Sequence, residues 1–467
     1  MFKRFLSLII LLSLLIAVKP VAAQSSGPIY IVQPGDTLSS IASRFNISIN
    51  DLMAANNITN PNLLSAGQEL VIPGLEGVTG ILDTEVVNFG DTFLGLARRT
   101  QVPIPLLLKL NHLVSPTEFY VGASIIVPKQ DNTTDLTQSF SLAPGESLLE
   151  LAVQQNADPW TVMALNGLPG TWGALPNDVL YNKGDSSAQK ASGLPPAFVS
   201  AQLTTLPLKQ GGTAEIIVQP ASGVTLGGTL VDKPLHFFPL GDGRMVALQG
   251  VHAMLDPGLY PLRLDATLPD GSLQSFEQMI LVVSGNYPED PVLVVSADTI
   301  DPAVTDPELN QLIQITTPAT PDKLWSGEFT SPAIQYADST YFTSRFGDRR
   351  TYEGQGTDLK ITGFHTGLDF GGGTGLPISA PAGGRVVFAG PLTVRGNATV
   401  IDHGWGIYSG IFHQSEIKVN VGDVVQQGQT IGLVGGTGRV TGAHLHWEIW
   451  VNGIQVDPLD WLNGTYP

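Results

Sequence analysis

The chain has 467 residues, too many for one hydrophobic core, so three or more domains are expected. It contains no cysteine, which excludes disulfides, thiolate zinc sites and cysteine nucleophiles; a metal would have to be held by His, Asp or Glu. With 23 basic and 41 acidic residues the formal charge is −18, which repels phosphate backbones and argues against nucleic acid as a partner, and 52 Gly and 34 Pro favour short strands and turns.

Residues 1–23 have the layout of a secretory signal. Lys3 and Arg4 precede a 14-residue apolar run, Phe5 to Val18, and Val21-Ala22-Ala23 offers a small-residue cleavage site. The run is short for a membrane span, which needs about 20 apolar residues, and Lys19 interrupts it. The expected mature protein is secreted, associated with the cell envelope, and has no stable membrane span.

A repeat of 55 residues follows: Gly35, Gly90 and Gly145 are that far apart, and so are Asn56, Asn111 and Asn166. In each unit a short strand meets a Gly turn. Thr37, Thr92 or Ser147 then caps a helix whose apolar residues recur at helical spacing, such as Leu38, Ile41, Ala42 and Phe45. A second helix opens in the first unit at Ser48-Ile49-Asn50-Asp51, and a closing strand, Glu69 to Ile72, returns beside the first. The pattern predicts βααβ modules at 28–73, 84–128 and 138–182, the third degenerate because Gly170 to Ala174 departs from the repeat. The first two units resemble LysM modules. The resemblance implies binding of N-acetylglucosamine-containing glycans such as peptidoglycan, with Gly35, Asp36 and Thr37 on one side of the groove and Asn56, Asn57 and Ile58 on the other.

Residues 183–196 read as a Ser-, Ala- and Gly-rich linker. From 197 to 285 short alternating runs, such as Glu215 to Val218, are separated by turns at Gly241-Asp242-Gly243 and Pro269-Asp270-Gly271, which predicts a β-sandwich-like domain. His236 and His252 lie here without ligand neighbours and read as structural. A connector, 286–328, carries one predicted helix, with Asp306 as N-cap, Pro307 at its first position, and Leu309, Leu312 and Ile313 sharing a face. The whole reads as a multidomain, mainly β protein with small α+β modules.

Five of the eight histidines fall between 365 and 446. His444 and His446 alternate with Leu445 on a predicted strand, so both imidazoles point to one face. His365 and Asp369 stand upstream in a glycine-rich loop and strand. Adding one histidine of the pair makes a two-His, one-carboxylate set, a catalytic zinc composition with a position open for water.

The segments Thr343 to Gly347, His365 to Phe370, Ile401 to Gly404, His413 and His444 to Glu448 resemble the M23 (lysostaphin/LytM-type) zinc metallopeptidases, over about 329–463. The resemblance implies an antiparallel β-sheet peptidase domain with one Zn2+ held by His365, Asp369 and His446. It gives His413 and His444 the two non-ligand catalytic roles, proton transfer and oxyanion support, and leaves His403 structural. The run Ile411-Phe412-His413-Gln414 departs from the family's usual Tyr-Ala-His-Leu. The implied function is a zinc endopeptidase cleaving peptide crosslinks of bacterial peptidoglycan. The alternative is a non-catalytic wall-binding activator of another hydrolase.

Overall fold

A computed structural model describes residues 27–75, 78–129, 136–183, 191–333 and 342–467. The signal sequence expected at 1–23 and residues 184–190 of the expected linker lie outside the described residues. The chain forms two compact units, one holding most of the chain up to Ala191 and the other Ser192 to Pro467 with the short pieces Asn88–Gly90 and Thr117–Gly122. Among the described residues no helix is long and apolar enough to cross a membrane.

In the first unit, β1 (Ile29–Ile31), α1 (Leu38–Arg44), α2 (Ile49–Ala55) and β2 (Glu69–Val71) make the first βααβ module, with β1 and β2 antiparallel. Thr37 caps α1 through a capping box with Ser40, and Ser48 caps α2 by accepting from the Asp51 amide. The second module repeats this with β3 (Ile81–Val86), α3 (Phe93–Thr100), α4 (Ile104–Leu110) and β4 (Ser124–Lys129). The two modules share one sheet, in the order β2-β1-β3-β4, because β1 and β3 pair in parallel.

The third module is complete. It has β5 (Gln138–Ser141), α5 (Leu148–Gln154), α6 (Pro159–Leu165) and β6 (Val179–Asn182), and β5 and β6 pair antiparallel. The departure at Gly170 to Ala174 is confined to the loop before β6. The repeated Asn explains why the fold survives it. Asn166 donates both amide hydrogens, to the carbonyls of Val162 and Tyr181, and accepts from the Tyr181 amide at 2.8 Å. Asn56 and Asn111 make the same three bonds to their own modules. Each therefore clips the end of its second helix to its closing strand.

In the second unit, a two-sheet sandwich runs from β7 (Phe198–Leu203) through β8 (Leu208–Lys209), β9 (Thr213–Pro220), β10 (Thr225–Leu230), β11 (Lys233–Pro234), β12 (Phe238–Pro239), β13 (Met245–Gly250) and β14 (Gly258–Thr267) to β15 (Leu273–Val283). The sheets are β11-β10-β14-β15-β8 and β12-β13-β9-β7. Alternation gives each strand of the second sheet two faces. Ala247 of β13 faces the sandwich core, whereas Val246 and Leu248 enter the core of the C-terminal region beside Trp405, Trp447 and Trp461. A shared core thus welds the sandwich to the C-terminal region.

The connecting helix differs from the expected one. It is α7 (Pro302–Thr316), capped by Asp301 and with Pro302 at its start, so Pro307 lies inside it rather than at its first position. Asp301-Pro302 offers the same cap chemistry as Asp306-Pro307, and the longer helix wins at the cost of the one hydrogen bond Pro307 cannot donate. Its buried face is Glu308, Leu312 and Thr316, while Leu309 and Ile313 are exposed. Glu308 sets that rotation: its carboxylate receives the amides of Val394 and Arg395 at 2.8 and 3.1 Å.

The C-terminal region contributes β16 (Leu293–Val295), β17 (Phe342–Ser344), β18 (Arg349–Gly354), β19 (Lys360–Phe364), β20 (Leu368–Gly371), β21 (Pro377–Ser379), β22 (Gly384–Leu392), β23 (Gly396–Gly404) and β24 (Ile407–Gln414). It continues with β25 (Glu416–Ile417), β26 (Val424–Val425), β27 (Thr430–Leu433), β28 (His444–Val451), β29 (Ile454–Val456) and the short α8 (Pro458–Asn463). The main sheet runs β17-β20-β28-β24-β23-β22-β26, with smaller sheets β16-β18-β19 and β21-β27-β25. On β28, Leu445, Trp447, Ile449 and Val451 face one core; Trp450, on the other face, packs with Leu312 of α7 and Phe412 of β24.

Candidate metal centre

The site lies where β28 runs between β20 and β24. Asp369 of β20 is paired with His446 of β28, and Phe412 of β24 pairs with His446 from the other side. His365 arrives from the turn between β19 and β20. That turn passes close under β28, and a side chain on Gly367 would collide with the Trp447 carbonyl.

The three side chains converge tightly. Asp369 Oδ1 is 2.7 Å from His446 Nδ1 and 3.1 Å from His365 Nε2, and the two ring nitrogens are 3.0 Å apart. All three residues are buried, and their ligand atoms lie within 4.8 Å of one another. The outer partners fix the tautomers. His365 Nδ1–H donates to the Arg345 carbonyl at 2.8 Å, and His446 Nε2–H donates to Glu448 Oε1 at 3.1 Å. Both inward nitrogens then present lone pairs beside a carboxylate oxygen. When both rings are neutral three acceptors face one another, and a cation or a proton is needed to hold them there. This donor set fits a divalent metal of borderline character.

The electrostatics agree. Burial pushes Asp369 up, but the surrounding histidines, His365 first, hold its carboxyl well below the usual carboxylate range. Burial lowers His365. For His446 burial also acts downward, but hydrogen bonds to Asp369 and Glu448 outweigh it and raise the imidazole.

His444 and His413 flank this set. His444 Nε2 is 3.4 Å from Asp369 Oδ1, and its Nδ1–H donates to the Gly442 carbonyl at 2.9 Å. The His413 ring centre lies 4.9 Å from that of His444. Its Nδ1–H donates to the Thr437 carbonyl at 2.7 Å, which leaves Nε2 free to accept. Burial first, and then the charges of His446 and His444, lower His413 to about 3, so its ring is neutral at physiological pH. Its backbone sits at φ +60°, a left-handed conformation just inside the end of β24, where the register with β23 shifts between Thr399 and Asn397.

Residues 363–458 match the model of peptidase family M23, and residues 30–73 and 86–128 match that of the LysM domain. The chain carries an M23 peptidase domain behind two LysM domains. A DD-carboxypeptidase/endopeptidase, Mpg, of Neisseria meningitidis serogroup B is 41% identical over 95 residues, 20% of this chain and 22% of its own. The peptidoglycan DD-endopeptidase ShyC of Vibrio cholerae is 40% identical over 116 residues, 25% of this chain and 26% of its own. This chain thus spans about a fifth to a quarter of the length of these relatives. The lysostaphin catalytic domain of Staphylococcus simulans is 34% identical, with 22% of this chain and 81% of that one covered and a TM-score of 0.21.

Within the M23 domain, His403 stands apart from the cleft. It is buried, bonded to the Gly383 carbonyl at 2.8 Å and Ser409 Oγ at 2.9 Å, and burial lowers it to about 4. His252, in the sandwich, packs edge-on against Phe364. Asp457 caps α8 by accepting from the Leu459 amide.

Four residues of the M23 site were not singled out by sequence. Glu448 lies two beyond His446 on the same strand face and accepts from Thr366 Oγ1 at 2.6 Å and Gln455 Nε2 at 3.0 Å as well as from His446. Arg395 pairs with Glu448 at 3.2 Å and with Glu308 at 3.5 Å. Arg350 bonds Ser344 Oγ at 2.6 Å and stands 3.6 Å from the outer oxygen of Asp369. The period-two rule could have found Glu448. Nothing local marks Glu308, Arg395 or Arg350, because each acts across the fold.

Among the LysM positions, Gly35 turns at φ +90° and Thr37 spends its hydroxyl on the α1 cap. Asp36 accepts from Tyr30 Oη at 2.6 Å and from the Gln33 amide at 2.8 Å. Asn56 has both amide hydrogens on backbone carbonyls, Asn57 turns at φ +53°, and Ile58 packs against the module core.

Proposed function

We propose that this chain is a secreted, cell-envelope zinc endopeptidase that cleaves peptide crosslinks of bacterial peptidoglycan and is held on the wall by its LysM domains. The observation that carries the reading is the convergence of His365 Nε2, Asp369 Oδ1 and His446 Nδ1 within 3.1 Å of one another, with the other nitrogen of each ring already hydrogen-bonded outside the set. These residues would hold the metal. Zinc, when bound, would supply polarisation of the scissile carbonyl and a water of lowered pKa. His413 and His444, each with its Nδ1–H on a backbone carbonyl and Nε2 on the cleft side, are suited to share the proton-transfer and oxyanion roles between them.

The relatives named as DD-endopeptidases support a peptide crosslink as substrate. Glycan contact by the first module is assigned to the Gly35–Thr37 turn and the Asn57–Ile58 loop, with Asn56 beneath them as their clip. Tethering by such modules raises the enzyme's local concentration at its bonds without any new contact in the cleft.

The test is a pair of variants. His446→Ala is expected to lose zinc and all release of peptides from purified wall while still sedimenting with it. His444→Ala is expected to keep its zinc and lose turnover by roughly 100-fold or more. Equal loss of zinc from both would undo the division of roles. Native protein that carries no zinc and releases no peptides would favour the activator reading instead.

A further inference from the structure

The cleft above the metal centre has a volume of about 530 Å³ and is lined by three guanidinium groups, those of Arg350, Arg395 and Arg439. Two are neutralised in place. Arg350 pairs with Asp290 at 3.0 Å and lies 3.6 Å from Asp369; Arg395 pairs with Glu448 and Glu308. Arg439 makes no ion pair among the described residues.

Its direct partners are neutral groups instead. Its backbone amide donates to the Val394 carbonyl at 2.7 Å, and Nη1 donates to the Thr299 carbonyl at 3.0 Å. The guanidinium carbon lies 4.3 Å from the centre of the Tyr352 ring, which acts as a shelf under it. Burial lowers the group's pKa. A cation stripped of part of its hydration and bonded to no counter-charge costs stability, and such a group in a cleft is a candidate site for a ligand that supplies the charge.

Nη1 is occupied, whereas the other N–H groups of the fork have no partner among the described residues. That free edge matches a planar carboxylate. A phosphate would carry more charge into a lining that already holds Asp290, Asp348, Asp369 and Glu448. The overall charge of −18 sharpens the point, because an acidic ligand is repelled by most of the molecule and needs a local cation to be held.

The geometry points to Arg439 as the carboxylate anchor of the cleft: it binds a free α-carboxylate of the crosslinked peptide and fixes which side of the crosslink meets the metal centre. This rests on the endopeptidase reading above. Arg439 reaches the cleft from the loop that leads into β28, so the anchor and His444 are carried on one short segment.

The experiment compares two synthetic crosslinked peptides that differ only in a terminal α-carboxylate or carboxamide. The zinc-loaded full chain is expected to favour the acid on the order of tenfold in kcat/KM, mainly through KM. Arg439→Gln is expected to bring the acid down to the level of the amide with zinc content unchanged, and Arg439→Lys to retain part of the preference. Loss of both substrates in equal proportion in Arg439→Gln, or no preference in the native chain, overturns the anchor. Calorimetric titration of the zinc-free native chain with both peptides separates the two readings. Tighter binding of the acid, abolished in Arg439→Gln, together with no cleavage of either peptide, leaves the anchor standing and sinks the endopeptidase. Equal binding of acid and amide sinks the anchor whatever the cleavage result.

Discussion

At the scale of single residues, the site is a chain of charge that starts far from the metal centre. Glu308 holds the Val394–Arg395 backbone, Arg395 holds Glu448, and Glu448 holds the outer nitrogen of His446. Burial pushes the Glu448 carboxyl up, but Arg395 and His446 outweigh it, so it stays ionised. An ionised partner on the outer N–H keeps the inner nitrogen aimed and makes it more basic. Glu448→Gln keeps the shape and removes the charge. It is expected to weaken zinc binding by about 10–100-fold, read by competition with a chelator, with the far-ultraviolet circular dichroism unchanged. His365 and Asp369, four apart, and His444 and His446, alternating on one strand, could each be found as a local pair, and the resemblance to the M23 metallopeptidases joined the two pairs across 81 residues. Glu308 and Arg395 could not, because 53 residues separate Arg395 from Glu448 and 87 separate it from Glu308.

At the scale of elements, caps and clips decide the outcome. The helix in the connector was legible as a helix, but its start was not: two Asp-Pro pairs compete, and the choice depends on where Glu308 must point. The third module was legible in its first half only. Its closing strand is recruited through Asn166, 15 residues before Tyr181 and in register in the repeat, although the intervening departure at Gly170 to Ala174 hides the strand itself. Asp457 offers a test of a cap under strain. Burial raises its carboxyl to about 6, above its unfolded value. The native state therefore holds the proton more tightly, and stability falls as pH rises from about 4 through 6. Asparagine caps as well as aspartate and carries no charge. Asp457→Asn is expected to raise Tm above pH 6, with the difference shrinking through that window and vanishing below about pH 4, as followed by calorimetry.

At the scale of the whole molecule, the sandwich and the M23 domain behave as one body because they share side chains. Phe238 stacks on Trp405 with ring centres 5.2 Å apart, Asn452 bonds the Leu248 carbonyl at 2.7 Å, and Leu248 itself is in the common core. The alternating pattern of β13 was legible as a strand, but its second apolar face gave no sign of which neighbour it would meet. Leu248→Ala is expected to cost about 2–5 kcal/mol. Because the core is shared, sandwich and peptidase should still unfold in one calorimetric transition, shifted down, with zinc released at that same temperature. Separate transitions would show the two to be independent.

The parallel pairing of β1 with β3 makes the first two LysM modules a ruler. Modules on a flexible tether can each find a sugar wherever it lies, and their gain in avidity depends on tether length. Modules locked into one sheet cannot turn independently, so on the proposed reading their sites are set at one distance and one angle. A glycan strand whose helical repeat matches that distance engages both at once and gains the full multiplication of affinities; a short fragment engages one. The sheet would then select for long, regularly wound strands, and so for intact wall over its debris.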